Sequence, residues 1–391
     1  MVMVSPDGAG DPAGLRGVRG ALLAGGLGER MGPLTARCCK PLVPYAASCR
    51  LVDFSLANAV RSGLPELVLL SLHRETDLVR HLRRHWDDRP GTRLHFGPHD
   101  RLLRAGPAPG PGTVLPERPA ERGTADALLA NAEYLFAPGA ADLLVQHADH
   151  VYDFDYRPMA AAHRARGAQA TIGVQRVERR YVPLFGMVET DRDLRVRALV
   201  EKPEHPTSDL VFTAFCLLRI DALREVLADL TARGEDGWQH DISRDVLPEM
   251  IRQGRPVHAY PVEGYWADIG TVDRYRTEQL KLLERPHPIP PGALPRTLAG
   301  AGPRFAPERA SLLGADVPAG AVVERSVLHP GCRIEAGARV LGSVVLPGAI
   351  VARGVTVRDT VVLADERVAS DREGLPVSPP RPGHGPTPER R

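Results

Sequence analysis

The segment AGGLGERMGPLT, at positions 24–35, combines several glycines with one arginine directly after the first apolar run of the chain. Gly25, Gly26 and Gly28 allow the backbone to approach a phosphate closely and to turn its N–H groups towards it, and Arg30 adds a fixed positive charge. The segment is not a Walker loop, because no GK[ST] follows, and the third glycine of a dinucleotide fingerprint is missing. Taken alone, it is equally consistent with a phosphate-binding loop and with a structural turn.

Two aspartates are candidates for binding a metal ion. Asp149, in ADHVYDFDY, comes just after a predicted strand, at the carboxyl end of a parallel sheet where ligands bind. Its carboxylate and that of Asp268, in GYWADIGT, suit Mg²⁺, which is often held by one or two carboxylates together with substrate phosphates. A helix cap or turn residue is the alternative for Asp149. Lys202, in VEKP, offers a flexible positive charge, and its alternative is an exposed, solvated Glu-Lys pair.

These residues lie in a stretch where short apolar runs alternate with helical patterns. We predict strands at 18–24, 67–72 and 142–146, and helices at 54–62, 77–85 and 125–135. Strands that alternate with helices are typical of a parallel sheet covered on both faces. Residues 88–119 interrupt the pattern with Pro and Gly and are predicted to form a long surface loop near the active site.

The periodicity changes after a Pro- and Gly-rich stretch at 286–307, which predicts a semi-rigid linker. Beyond it, aliphatic residues stand six apart in two runs, with glycines between them: Ile334 and Val340, then Val345, Val351, Val357 and Leu363. A six-residue repeat with one inward aliphatic side chain per side is what a triangular parallel β-helix requires. The slip to five between the two runs leaves a β-rich domain with accidental spacing as the alternative.

Composition and charge exclude several classes of protein. The 391 residues include 50 Lys and Arg against 48 Asp and Glu, so no excess charge marks a nucleic-acid binder. Five cysteines without a CxxC spacing are typical of reduced thiols rather than of a disulfide framework. Without a signal peptide or a run of 18 apolar residues, we expect a cytoplasmic protein with no membrane partner. Residues 1–16 and 370–391, rich in Pro, Gly and charge, are predicted to be disordered.

The glycine-rich segment resembles a known signature when it is taken together with Lys40. The pattern GGxGxR followed by Lys-Pro, here in CKPLVP, resembles that of the sugar nucleotidyltransferase superfamily. Further blocks resemble, in order, those of bacterial ADP-glucose pyrophosphorylases, the glucose-1-phosphate adenylyltransferases: RLVDFSLANAVRSG at 50–63, RGTADAL at 122–128, ADHVYDFDY at 148–156, Phe185-Gly186, VEKP at 200–203 and GYWADIGT at 264–271. The resemblance therefore covers most of the chain.

This resemblance implies a fold and an activity. The fold is α/β, with a Rossmann-like nucleotidyltransferase domain of mixed, mainly parallel sheet at 17–285, followed by a left-handed parallel β-helix at 308–369. The implied substrates are ATP and glucose-1-phosphate, with Mg²⁺ as cofactor, ADP-glucose and pyrophosphate as products, and glycogen or α-glucan synthesis as the purpose. The implied assembly is a homotetramer.

The resemblance also implies roles for individual residues. Arg30 and the glycine loop would hold the β and γ phosphates, and Lys40 would bridge the nucleotide and the sugar phosphate. The implied catalytic residues are Arg30, Lys40 and Asp149, and the implied metal ligands are Asp149 and Asp268. Nucleotide binding is implied for Leu23, Ala24, Gly25, Gly26, Gly28, Gly123, Thr124 and Ala125. Binding of the sugar phosphate is implied for Gly186, Glu201, Lys202, Thr213 and Asp268.

The chain departs from the family pattern most strongly at TAFCLLRI, residues 213–220, where the family has S-M-G-[IV]-Y-x-F. This departure predicts a reshaped sugar pocket. Ala148 also replaces a glycine and adds a methyl group near the expected ligand. Two alternatives therefore stay open: an enzyme of the same class with a different sugar or base, and a catalytically weak regulatory subunit. The intact charged residues argue against the second.

Overall fold

A computed structural model describes residues 14–376, except for 88, 90, 107–108, 111–112, 114, 118–119 and 299–301. Most of the two predicted disordered tails, at 1–13 and 377–391, lies outside the described residues. The chain forms two compact units. The first comprises the chain up to Gly26 together with Leu51–Asp268, and the second comprises Leu27–Arg50 together with the chain from Ile269 onwards. Among the described residues, no helix has the length and apolar character needed to cross a membrane.

The helices and strands are numbered in chain order. The helices are α1 (Val52–Arg61), α2 (Glu75–His85), α3 (Asp100–Arg104), α4 (Thr124–Ala130), α5 (Ala132–Leu135), α6 (Tyr156–Ala165), α7 (Ile220–Thr231), α8 (Leu247–Arg252) and α9 (Val272–Lys281). The strands are β1 (Val18–Leu23), β2 (Pro44–Tyr45), β3 (Cys49–Arg50), β4 (Glu66–Leu70), β5 (Arg93–His95), β6 (Asp142–His147), β7 (His150–Tyr152), β8 (Ala170–Arg176), β9 (Gly186–Thr190), β10 (Val196–Glu201), β11 (Leu210–Arg219), β12 (Val257–Pro261), β13 (Trp266–Asp268), β14 (Arg304–Ala306), β15 (Ser311–Leu313), β16 (Val322–Glu324), β17 (Val327–Leu328), β18 (Arg333–Ile334), β19 (Arg339–Leu341), β20 (Val344–Val345), β21 (Ile350–Val351), β22 (Thr356–Arg358), β23 (Val361–Val362), β24 (Arg367–Val368) and β25 (Arg372–Glu373).

The first unit is built on a mixed sheet in which β1 holds a central position. Strand β1 pairs in parallel with β4 on one side and with β6 on the other, and β4 pairs in parallel with β5. Beyond β6 the direction reverses, because β11 runs antiparallel to β6, β8 and β9. All six residues of β1 are buried, as expected of a strand covered on both faces. The predicted mixed α/β sheet is thereby confirmed, and its register places Leu23 beside His147.

The predicted elements of this unit occur in the structure, with ends that differ by one or two residues. The helix predicted at 125–135 is divided into α4 and α5 at Asn131. The loop predicted at 88–119 contains the short strand β5 and the helix α3. A strand of three residues offers too few positions for an alternating pattern, so the sequence carried no sign of it.

The second unit contains the β-helix. Its short strands stack in three sheets, in parallel except for β14, which runs antiparallel to β15. Most parallel partners are 17 positions apart, as in Val323 with Val340 and Val340 with Val357, whereas the β15–β17 and β22–β25 pairs at the two ends are offset by 15. The inward aliphatic residues are Val323, Leu328, Ile334, Val340, Val345, Val351, Val357, Val362 and Val368. The predicted β-helix is confirmed, with one correction, since Val362 enters the core in place of Leu363. Each coil has one corner that is a residue shorter than the other two.

A ladder of buried hydroxyl groups runs along the short corner. The N–H of Ser326 donates to Ser311 Oγ (3.1 Å), that of Ser343 to Ser326 Oγ (3.1 Å), and that of Thr360 to Ser343 Oγ (3.2 Å). The residues that precede Ser326, Ser343 and Thr360 are all left-handed. Their φ angles are 44° at Arg325, 55° at Gly342 and 49° at Asp359. The turn at this corner therefore satisfies buried backbone N–H groups that the shortened corner would otherwise leave unpaired.

The described ends and the predicted linker pack within the units. In the stretch 286–307, Ile289 and Leu294 are buried, and β14 pairs with β15. Near the chain ends, Leu15 is buried and β25 pairs with β22. Each of these segments contributes an apolar side chain or a strand edge that the composition alone did not indicate.

One buried histidine makes the second unit sensitive to acid. His329 is completely buried, with Nε2 3.3 Å from Gln279 Oε1. Burial, with the charge of Arg50 nearby, lowers the pKa of His329 to about 3. The unfolded chain takes up this proton near pH 6.5 and the folded unit does not, so stability falls as the pH drops below 6.5 and stops falling near pH 3.

We expect the second unit to lose about 2 kcal/mol of unfolding free energy through His329 between pH 6.5 and pH 5, since each pH unit is worth about 1.4 kcal/mol. The measurement is urea unfolding at several pH values, monitored by hydrogen exchange in peptides from the β-helix. The variant His329→Leu should show a smaller loss over the same range. An identical pH dependence in both proteins would contradict the assignment.

Candidate active site

The glycine-rich segment begins where β1 ends. The Ala24 N–H donates to the Leu70 carbonyl (2.8 Å), which keeps the chain in line with the sheet for one more residue. Among the described residues, a Cβ atom added at Gly26 would meet no other atom within 4 Å, and one at Gly25 would meet only a backbone nitrogen at 4.0 Å. Within this part of the chain the space beside the two glycines is open, as the approach of a ligand to the backbone requires.

The rest of this segment belongs to the second unit and is a tight turn. Gly28 is left-handed (φ 67°), and an added Cβ would lie 2.9 Å from Cβ of Lys40 and 3.0 Å from Cγ2 of Thr35. The Thr35 hydroxyl donates to the carbonyls of Gly28 (3.0 Å) and Gly32 (3.1 Å). The side chain of Arg30 is exposed and Lys40 is buried. Gly28 is thus required by the turn itself, independently of any phosphate.

The two predicted metal ligands lie close to the same histidine. Strand β13 pairs with β7 so that Asp268 stands opposite His150. His150 Nε2 is 3.6 Å from Asp149 Oδ1 and 3.9 Å from Asp268 Oδ1. Both carboxylates are about a quarter exposed, at 26% and 23%. The structure therefore brings together two residues that are far apart in the sequence and leaves them accessible to a ligand.

Two further side chains complete this cluster, and the sequence analysis did not single out either of them as a site residue. His147, the last residue of β6, contributes a second imidazole, and burial together with the neighbouring His150 lowers its pKa to about 4. Trp266 donates its Nε1–H to His150 Nδ1 and to the Thr213 carbonyl, both at 3.1 Å. Carboxylate oxygens beside imidazole nitrogens are a donor set that fits a divalent cation.

The RGTADAL segment is braced from one side by residues 240–242. An added Cβ at Gly123 would collide with the His240 carbonyl, which also accepts the Ala125 N–H (2.8 Å). The Thr124 hydroxyl donates to Asp241 Oδ2 (3.0 Å) and accepts the N–H of residue 242 (2.9 Å). The Thr124 hydroxyl is therefore part of the scaffold, and the N-terminus of α4 is held in place by groups more than a hundred residues away in the chain.

His240 is the centre of this brace. Its backbone is left-handed (φ 61°), and its Nδ1 lies 2.6 Å from Asp126 Oδ1 while its Nε2 donates to the Glu235 carbonyl (2.8 Å). Its ring also packs on Trp238, with 4.1 Å between the centroids. A non-glycine residue in this conformation persists only where its surroundings hold it, and such positions cluster at functional sites. No motif in the sequence pointed to His240.

Three of the five residues predicted to bind the sugar phosphate, Gly186, Glu201 and Lys202, meet at the end of the β9–β10 ladder. Gly186 pairs with Glu201, and an added Cβ at Gly186 would lie 3.1 Å from Glu201 Oε2. Lys202 is left-handed (φ 50°), donates its N–H to the Phe185 carbonyl (2.9 Å), and has Nζ 3.3 Å from Glu201 Oε1. Its ammonium group is at the surface, where it can meet an anion.

Thr213 lies in an irregular part of β11. The pairing with β8 is interrupted between Phe212 and Cys216, and Ala214 between them is left-handed (φ 60°). The Thr213 side chain is fully buried, and among the described residues its hydroxyl has no hydrogen-bond partner. Such bulges are frequent beside active sites, where they redirect a side chain. The departure from the family pattern at 213–220 therefore coincides with a distortion of the strand.

Comparison with known families identifies the class of protein. The nucleotidyl transferase family model matches residues 19–285, and the model of the GlmU-like C-terminal hexapeptide region matches residues 308–373. The chain belongs to the nucleotidyl transferase family. The carboxylates of Asp149 and Asp268 and the glycine-rich segment after β1 lie within the region matched by the nucleotidyl transferase model, and the hexapeptide match agrees with the three-sheet β-helix.

Three relatives show where the chain stands within this class. Valienol-1-phosphate guanylyltransferase of Streptomyces hygroscopicus subsp. limoneus is 50% identical over 329 residues, which cover 81% of this chain and 87% of that protein. Glucose-1-phosphate adenylyltransferase of Thermomicrobium roseum is 38% identical over 270 residues, 67% of this chain and 59% of that protein. The enzyme of that name from Fervidobacterium nodosum is 31% identical over 323 residues, 82% and 72% respectively. The chain thus shares more with the guanylyltransferase than with these two adenylyltransferases.

Proposed function

We propose that the protein transfers a nucleotidyl group from GTP to the phosphate of a cyclitol-type sugar analogue, of which valienol-1-phosphate is the example. The observation that carries the proposal is the 50% identity with valienol-1-phosphate guanylyltransferase, which extends over 87% of that protein. The altered segment at 213–220, with its bulge beside Trp266, supports an acceptor other than glucose-1-phosphate. This proposal takes up the alternative raised from the sequence, an enzyme of the same class with a different sugar or base.

In the proposed reaction, a phosphate oxygen of the acceptor attacks the α-phosphorus of the nucleoside triphosphate. The new P–O bond forms as the bond to the bridging oxygen breaks, and pyrophosphate leaves with that electron pair. The chain orients the reactants and neutralises their charge. Arg30 and the backbone at Gly25 and Gly26 would hold the triphosphate, Lys40 would bridge the two substrates, and Lys202 would hold the acceptor phosphate.

The carboxylates of Asp149 and Asp268 would hold a divalent cation, for which we propose Mg²⁺ as the default. When bound, such a cation neutralises phosphate charge and orients the triphosphate. His150 Nε2 lies within 4 Å of both carboxylates, at 3.6 Å from Asp149 Oδ1 and 3.9 Å from Asp268 Oδ1. We also propose a cytoplasmic homotetramer, in which the exposed ends of the stacked coils are covered by neighbouring subunits.

A second candidate is the transfer of an adenylyl group from ATP to glucose-1-phosphate. The 38% identity with the Thermomicrobium roseum adenylyltransferase and the ordered sequence blocks favour it. Its weak point is the segment at 213–220, where the family's sugar-contacting pattern is absent. The catalytically weak regulatory subunit would keep the fold and release no pyrophosphate by itself.

The deciding experiment pairs each nucleoside triphosphate with several acceptors and measures pyrophosphate release by the purified full-length protein. We expect the highest kcat/KM for GTP with valienol-1-phosphate. Highest activity with ATP and glucose-1-phosphate would establish the second candidate. Absence of pyrophosphate release with every pair, from a protein that melts cooperatively, would favour the regulatory subunit.

Thr213 offers a test of the acceptor pocket. We expect Thr213→Val to raise the KM for the acceptor about tenfold, because one hydrogen bond is worth about 1 kcal/mol or slightly more. The melting temperature should stay the same or rise, since the substitution removes a buried hydroxyl that has no partner among the described residues. The matched control is Thr171→Val, which removes a buried hydroxyl that is hydrogen-bonded to His163 (2.8 Å) and should therefore lower stability. An unchanged KM in Thr213→Val would exclude this hydroxyl from acceptor binding.

A further inference from the structure

The donor set at the carboxyl end of β6 contains nitrogen as well as oxygen. His147, Asp149 and His150 each offer one ligand atom, and these atoms lie within 4.8 Å of one another. Asp268 adds a carboxylate oxygen 3.9 Å from His150 Nε2. Mg²⁺ is usually bound through carboxylates, waters and phosphates, whereas imidazole is a favourable ligand for Zn²⁺ and other transition-metal ions. The presence of two imidazoles therefore bears on which cation the site selects.

Trp266 distinguishes the two imidazoles. Its indole N–H can only donate, and it is shared between His150 Nδ1 and the Thr213 carbonyl, each 3.1 Å away. With His150 Nδ1 as an acceptor, Nε2 carries the proton of the neutral ring and faces the carboxylates of Asp149 and Asp268. In this tautomer His150 has no lone pair directed at the cation site. The nitrogen ligand would have to come from His147.

We propose that His147 donates a ring nitrogen to the cation held by Asp149, so that the site binds divalent transition-metal ions such as Co²⁺ and Zn²⁺ more tightly than Mg²⁺. The proposal rests on the proposed function, which places a catalytic cation at Asp149. His150 then serves as a positioning residue, with its Nε2–H directed at the carboxylates that bind the same ion. The arrangement combines a nitrogen ligand with oriented carboxylates.

The experiment uses the full-length protein and Co²⁺ as the probe. Calorimetric titrations with Co²⁺ and Mg²⁺ are expected to give a lower Kd for Co²⁺ in the wild type. Proton NMR of the Co²⁺-loaded protein should show one exchangeable, strongly shifted imidazole N–H resonance. His147→Phe keeps a ring of similar shape without its nitrogens. It should lose this resonance and weaken Co²⁺ binding at least about 10-fold, because loss of a ligand costs no less than loss of a group that orients one.

The matched control is His258→Phe, on β12, which lies outside the cluster and should leave Co²⁺ binding unchanged. If His147→Phe does not fold, His147→Ala provides the same comparison. A wild type that does not prefer Co²⁺, or a His147 variant that keeps both the resonance and the affinity, overturns the proposal. These measurements need no turnover, so a failure of the proposed function would be seen separately, as the absence of pyrophosphate release with any cation.

Discussion

Replacing Asp149 with Asn should lower the rate of pyrophosphate release by about a hundredfold to several thousandfold, which corresponds to about 3 to 5 kcal/mol in the transition state. The substitution keeps the size and hydrogen-bonding capacity of the side chain and removes its charge. Asp149 follows strand β6 and directly precedes β7, the strand that pairs with β13. Its side chain is only partly exposed and lies beside His150. Stability should change by less than about 1 kcal/mol, because the site is not in the core.

The measurement is the initial rate at saturating Mg²⁺, taken beside a thermal melt of the same preparation. Asp153→Asn is the matched control, since it makes the same chemical change in the same sequence block, at a partly exposed residue paired with Arg61. A variant of Asp149 that melts normally and keeps more than about a third of the activity would mean that the carboxylate does not position the cation.

Replacing Arg30 with Ala should lower kcat/KM by about 100- to 1,000-fold, the loss that follows when one group that stabilises transition-state charge is removed. Arg30 lies in a turn whose geometry depends on Gly28 and Thr35, and its own side chain is exposed. Its removal should therefore leave folding unaffected. Arg30→Lys should give an intermediate loss, because an ammonium group keeps the charge but cannot bind a phosphate through two parallel hydrogen bonds.

Steady-state kinetics with the triphosphate as the varied substrate, together with thermal melts, provide the test. Arg339→Ala, in the β-helix, removes an exposed arginine far along the chain and should keep wild-type kinetics. Equal kinetics for Arg30→Ala and the wild type would assign the glycine-rich segment to the structural turn that its sequence also permits.

Features of the fold that depend on residues close together in the sequence were predictable, whereas features that depend on distant residues were not. The parallel part of the sheet was predictable, because β1, β4 and β6 each contain a run of consecutive apolar residues. The slip to five residues between Val340 and Val345, which favoured accidental spacing, is part of the repeat itself and recurs between Val357 and Val362. The aliphatic repeat from Ile334 to Leu363 contains too few coils to reveal a 17-residue period. Leu363 was therefore assigned to the core in error.

Within the site, residues that carry a motif were predictable and the residues that support them were not. Asp149 and Asp268 were named from their sequence blocks, and the structure places them around His150. His240 escaped notice because its partner Asp126 is 114 positions away, and no local pattern records such a pairing. Trp266 lies in the same block as Asp268 and is buried, and its N–H, which no sequence pattern indicates, points at His150 Nδ1 and the Thr213 carbonyl.

The regular shift of 17 residues between coils has a consequence for how the β-helix can change its length. Removing or duplicating a segment of 17 residues, such as 339–355, joins chain ends that already stand in equivalent positions, so inward aliphatic residues, corners and hydroxyl ladder all stay in phase. An insertion of any other length within a strand would shift every later side chain out of the core. During evolution the β-helix can therefore become longer or shorter by whole coils. Tandem duplication of a 17-residue segment of the gene would add such a coil.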